Sequence, residues 1–139
     1  MNRTMAVDWG KRRVGVAVSD ETRTLARSLE TLEVMSTLDA VDQVVRLAGE
    51  NDIDTLVVGD PIHMSGRRSE GGREVRRFVV LLEKRLPGMR FVLWDERLTS
   101  HEAAAILRER GERRKGRRKG RLDQVAAAVL LQSFLDSAE

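Results

Sequence analysis

The chain opens with two short apolar runs separated by a polar turn. Met5-Ala6-Val7 ends at Asp8, and Val14-Gly15-Val16-Ala17-Val18 ends at Ser19-Asp20, with Trp9 to Arg13 between them. Two β-rich runs joined by a short glycine-containing connection predict an antiparallel hairpin. Leu29 to Val34 alternates imperfectly and predicts a third strand. From Thr37 the period changes: Leu38, Val41, Val44, Val45 and Ala48 recur at helical spacing, and Gly49 to Asp52 marks the stop. Thr55-Leu56-Val57-Val58 is a continuous apolar run, the pattern of a strand buried on both faces, ending at Gly59-Asp60-Pro61. Arg67 to Gly72 is polar and glycine-rich and predicts a mobile loop. A helix carrying Val75, Phe78, Val79 and Leu82 then runs to Pro87-Gly88, and Phe91 to Trp94 predicts a strand leading into Asp95-Glu96-Arg97. Thr99 or Ser100 would cap a further helix containing Ala103, Ala104, Ile106 and Leu107. Arg121 to Leu135, with Val125, Ala126, Val129, Leu130 and Phe134, predicts the last one. The order βββαβαβαα implies an α/β fold, one mixed five-stranded sheet flanked by helices, in a single domain over residues 1–139.

Charge changes this picture at one place. The net charge is +3, yet Glu112 to Arg121 alone carries seven basic residues and one acid, so the rest of the chain sums to −3. A local cluster of this kind suits a polyanion, with a solvated basic loop as the ordinary alternative. No apolar run approaches the roughly 20 residues that span a bilayer, so no membrane association is expected. Without cysteine the chain has neither disulfides nor a thiolate zinc site, which is compatible with a cytoplasmic location. Its two histidines, His63 and His101, are far apart and form no metal motif.

Acidic residues stand where core-directed elements end. Asp8 closes the first strand, Asp95 and Glu96 close the strand from Phe91, and Asp123 opens the last helix in line with Ala126, Ala127 and Leu130. Charges are seldom set against a core unless paired or bound to a cation. Three such carboxylates near one sheet end would suit Mg²⁺ or Mn²⁺. Each also has an ordinary reading: a turn residue for Asp8, a helix cap for Asp123, a partner of Arg97 for Glu96. Strand alternation allows only one of Asp95 and Glu96 to reach a shared site.

Three blocks together resemble the YqgF family, also called RuvX-like, of Holliday-junction resolvases and pre-16S rRNA nucleases. They are Val7-Asp8-Trp9-Gly10 through Ser19-Asp20, Asp95-Glu96-Arg97-Leu98-Thr99-Ser100, and Leu122-Asp123-Gln124-Val125-Ala126-Ala127 with Leu130-Leu131-Gln132. The resemblance covers nearly the whole chain. It implies an RNase H-like fold and a metal-dependent hydrolase that cuts nucleic-acid phosphodiesters, with Asp8, Glu96 and Asp123 as metal ligands and Asp95 as the less favoured neighbour. Where the family usually has Gly-Leu-Pro, this chain has Gly59-Asp60-Pro61, so Asp60 is either an added metal-facing carboxylate or a tolerated loop residue. RNA is the substrate the family favours, with rRNA processing in ribosome biogenesis as the role.

Basic residues would then meet the phosphate backbone: Lys11, Arg12 and Arg13 on the hairpin turn, and Arg113, Arg114, Lys115, Arg117, Arg118 and Lys119 before the last helix. Arg97 would grip a phosphate or pair internally. With 4% aromatics and no tyrosine there is no base-stacking platform, so backbone and shape should dominate recognition. Trp9 fits the core better than a surface role. Competing functions are a DNA junction resolvase, which would need a dimer for paired cuts, and a non-catalytic RNA-binding assembly factor. An actin-like phosphotransferase would need a second such domain and shows no Walker motif here.

Overall fold

A computed structural model describes residues 2–61, 70–96 and 119–137. The elements are β1 (Arg3–Asp8), β2 (Arg13–Ser19), β3 (Ala26–Glu33), α1 (Thr37–Glu50), β4 (Ile53–Asp60), α2 (Glu70–Arg85), β5 (Arg90–Asp95) and α3 (Lys119–Ser137). They form a five-stranded sheet in the order β3-β2-β1-β4-β5. The β1–β2 and β2–β3 pairs are antiparallel, whereas β4 lies parallel to both β1 and β5. Parallel neighbours need a crossover, which α1 and α2 supply. No helix among the described residues is long and apolar enough to cross a membrane.

Side-chain alternation divides the core in two. Met5, Val7, Val14, Val16, Leu56 and Val58 point to one face and pack with α1 and α2. Ala6, Ala17 and Val57 point to the other, under Ala127, Leu131 and Phe134 of α3. The register places Ala6 beside both Ala17 and Val57, so small side chains form the floor on which α3 rests. Trp94 Nε1 donates to Ser133 Oγ (3.2 Å), and its ring meets Phe134 edge-on at 5.4 Å. Gln132 ties the other flank: its Oε1 accepts from Ala26 N–H (2.9 Å) and its Nε2 donates to the Thr24 carbonyl (3.0 Å).

Two elements differ from the sequence expectation. Gly71 and Gly72, placed in a mobile loop, lie in the first turn of α2, because Val75, Phe78, Val79 and Leu82 bury the helix face that follows. Tertiary packing of that face outweighs the poor helix propensity of glycine. The third strand begins at Ala26 rather than Leu29. Its start is held by the Asp20 loop, where the carboxylate accepts from the Thr24 and Leu25 amides (2.8 and 3.2 Å). The helix expected after Thr99 or Ser100 and most of the basic segment lie outside the described residues.

Candidate functional site

The alternation that builds the two core faces also sorts the acids. Asp8 follows Ala6 by two positions and so takes the α3 face; Gly59 follows Val57 in the same way. On β5, Trp94 packs on the α3 side, which puts Asp95 on the α2 side and Glu96 back on the α3 side. Glu96 lies beyond the last strand residue and reaches inward across Gly59. A β-carbon at residue 59 would stand 2.6 Å from Glu96 Oε2, so the glycine leaves the room that this carboxylate occupies.

Glu96 is hydrogen-bonded to Asp8. Two carboxyl groups in such contact need a proton or a cation between them. Burial pushes the Glu96 carboxyl above its ordinary value; the bond with Asp8 pulls it back, and the negative charges of Asp60 and Asp95 push it up again. The pair opens into a cavity of about 350 Å³ lined by Asp8, Glu96, Ala126, Val129 and Leu130. Asp123 lies on the same helix, three positions before Ala126 and seven before Leu130, but its side chain is outside the described residues.

Asp60 and Asp95 stand opposite each other in the β4–β5 register. Asp60 is held from α2, with its Oδ2 3.3 Å from Arg76 Nη2. Among the described residues, its buried Oδ1 has no hydrogen-bond partner, and neither has Arg76 Nε. Asp60 is therefore tied to the face away from Asp8, and its charge reaches Glu96 through the sheet end. Sequence reasoning had no signal for Arg76. A signal for Gly59 did exist: a glycine inside a run of β-branched residues marks a close approach.

The donor set fits a hard divalent cation in kind, being all carboxylate oxygen and partly buried. Among the described residues, Asp8 and Glu96 are joined by no third acidic, histidine or cysteine side chain placed to share one ion.

The hairpin turn beside Asp8 is firmly seated. Trp9 packs on Phe78 of α2 with ring centroids 4.7 Å apart and planes tilted by 34°, and its Nε1 lies 3.4 Å from Glu74 Oε2. The core role expected for Trp9 is thus the one it plays. Lys11 is exposed and only 3.8 Å from Glu74, Arg12 is exposed, and Arg13 begins β2 opposite Glu33. His63, Arg97, His101, Arg113, Arg114, Lys115, Arg117 and Arg118 lie outside the described residues; Lys119 is described only as the first residue of α3.

Comparison with known proteins bears on the family and the fold. Residues 2–137 match the family model described as RuvX: Holliday junction resolvase. A protein of Thermoanaerobacter pseudethanolicus, named "Putative pre-16S rRNA nuclease", is 35% identical over 97% of this chain and 96% of its own length. One of the same name from Chloroflexus aurantiacus is 38% identical over 96% of this chain and 86% of its own. Among solved structures, Thermus thermophilus RuvC bound to a Holliday junction superposes with a TM-score of 0.68 at 13% identity, covering 99% of this chain and 96% of that one. The fowlpox virus resolvase does so with a TM-score of 0.60 at 12% identity, covering 97% of each. Those two structures bear out the RNase H-like mixed sheet flanked by helices.

Proposed function

The chain belongs to the RuvX family, and from that premise we propose that it is a metal-dependent nuclease that hydrolyses phosphodiester bonds of pre-16S rRNA in the cytoplasm. The observation that carries this reading is the contact of Asp8 with Glu96 above Gly59, on the sheet face that α3 covers. The substrate is taken from the names of relatives aligned along almost the whole chain.

Asp8, Glu96 and Asp123 would hold Mg²⁺ or Mn²⁺. Such a cation, when bound, makes a water acidic enough to supply the nucleophile and offsets charge on the phosphate and the leaving oxygen. The chain's own part is preparation. Burying Glu96 against Asp8, with Asp60 and Asp95 behind, builds up negative potential that only a positive charge relieves. Gly59 lets Glu96 lie close to the sheet. Packing of Trp9 on Phe78 holds the turn that follows Asp8, and Gln132 and Trp94 hold the helix that carries Asp123. Lys11, Arg12 and the basic segment before α3 attract the polyanion.

The description of the family model favours a second reading, a DNA junction resolvase using the same carboxylates. One experiment separates the two: purified protein with precursor rRNA fragments and with four-way DNA junctions, each with Mg²⁺, Mn²⁺ or chelator. Metal-dependent cutting of the RNA is expected. Cutting of the junction alone would favour the resolvase, and no cutting of either would overturn the nuclease reading.

A further inference from the structure

Close to Asp8 along the chain, the hairpin turn and the end of β3 with the two residues after it line a second, open cavity. It measures about 780 Å³ and is lined by Gly10, Lys11, Arg12, Arg13, Glu33, Val34 and Met35. It begins two residues after Asp8. Its two walls differ in chemistry: one is cationic and the other ends in bare apolar surface.

The cationic wall is rigid and lightly committed. Gly10 packs so closely that a β-carbon there would stand 2.5 Å from the Arg13 carbonyl oxygen, and that carbonyl's neighbour on Arg12 accepts from Val34 N–H at 2.9 Å. Among the described residues neither Arg12 nor Arg13 makes an ion pair. Glu33, opposite Arg13 in register, offsets part of that charge. Lys11 is 3.8 Å from Glu74, so Arg12 carries most of the uncommitted charge and Lys11 adds to it.

On the apolar wall, Met35 is 92% exposed; Leu38, three residues on in the first turn of α1 and beyond the lining of the cavity, is 63% exposed. These side chains are not loose ends. Met35 N–H donates to Asp39 Oδ2 (2.8 Å), and Ser36 Oγ accepts from Asp39 N–H (3.1 Å), a reciprocal cap that fixes the backbone under Met35. A capped segment that presents a methionine to water holds a flexible, polarisable surface in a set place, as suits a planar apolar partner.

We propose that this groove seats an unpaired nucleotide of the RNA strand that flanks the cut, with its phosphates on Lys11 and Arg12 and its base on Met35 and Leu38. The inference rests on the nuclease reading of the neighbouring carboxylates. Charge complementarity, and a cationic wall that starts two residues after Asp8, argue for a nucleic-acid strand. Methionine takes the place of the missing aromatic platform, so the seat accepts any base.

The test measures binding by fluorescence anisotropy, in chelator so that nothing is cut. It compares an RNA duplex bearing a single-stranded overhang with the same duplex blunt. Wild type should prefer the overhang about tenfold, and Met35→Ser/Leu38→Ser should remove most of that preference while leaving blunt-duplex affinity and thermal midpoint unchanged. Arg12→Gln should weaken overhang binding and lower its log–log salt slope by roughly 0.7. A wild-type protein indifferent to the overhang, or a double variant that keeps the preference, overturns the proposal, and cleavage of rRNA by the same preparation would leave the nuclease reading intact. Sedimentation supplies the other arm. A dimer that dissociates on Met35→Ser/Leu38→Ser with RNA binding unaltered would make the occupant a second copy, and the proposal would fall.

Discussion

Glu96 lies across Gly59, its Oε2 2.6 Å from the place a β-carbon on residue 59 would take. The obstructed atom is the far end of a flexible side chain, so Gly59→Ala can be accommodated by turning Glu96 away. Alanine also suits a strand better than glycine. The fold should keep its stability to within about 1 kcal/mol, whereas cleavage should fall about a hundredfold through misplacement of the carboxylate. Thermal melts and initial rates check the two halves; unchanged turnover would show that Glu96 has no fixed role.

The Asp60–Arg76 pair separates structure from chemistry. Arg76→Met would leave a buried carboxylate beside Asp95 without its cation, costing roughly 1–3 kcal/mol, less than for a fully buried pair because Arg76 is partly exposed. Asp60→Leu/Arg76→Met should restore most of that stability and keep cleavage. Loss of cleavage in a stable double variant would put Asp60 among the groups the reaction needs.

Much of this arrangement could be read from the sequence. The change of apolar spacing from alternate residues to helical turns gave the element order, and an acid closing an apolar run marked Asp8. The choice between Asp95 and Glu96 stayed open because it depends on which face Trp94 takes, and that is set by α3, far along the chain. Arg76 was invisible for the same reason, its partner being sixteen residues away across a crossover. The start of α2 was misplaced because Gly71 and Gly72 signal a loop locally while Val75 and Phe78 bury the helix.

Acid sensitivity should have a source remote from the carboxylate centre. Burial works against the charge of Asp54, but hydrogen bonds from Arg23 (2.6 Å) and Thr55 and the Arg23 charge hold its carboxyl below the ordinary value of 3.8. A depressed folded value means stability that is present above the unfolded value and lost as pH falls through the folded one. Asp54→Asn should therefore lower the thermal midpoint near neutrality and flatten its decline below about pH 4. Parallel acid limbs for variant and wild type would exclude this ion pair as the cause.

The basic run that leads into α3 carries its charge independently of the metal ligands. Replacing Arg113, Arg114, Lys115, Arg117, Arg118 and Lys119 with serine should weaken RNA binding and flatten its salt dependence, each lost phosphate contact removing roughly 0.7 from the log–log slope. Cleavage of saturating substrate should survive. Equal slopes would move the binding surface to Lys11, Arg12 and Arg13.

The central claim is that Asp8 and Glu96 hold a cation for phosphodiester hydrolysis, and Asp8→Asn tests it most directly. The substitution keeps the size of the side chain and removes its charge at the end of a well-packed strand. Rate of RNA cleavage, RNA affinity and thermal shift on adding Mn²⁺ would be measured on one preparation. The account predicts a folded protein that binds RNA nearly as before, loses the metal-induced shift, and cuts at least a thousandfold more slowly, the order expected when a charge-stabilising group is lost. Turnover like that of the wild type in folded Asp8→Asn would contradict it.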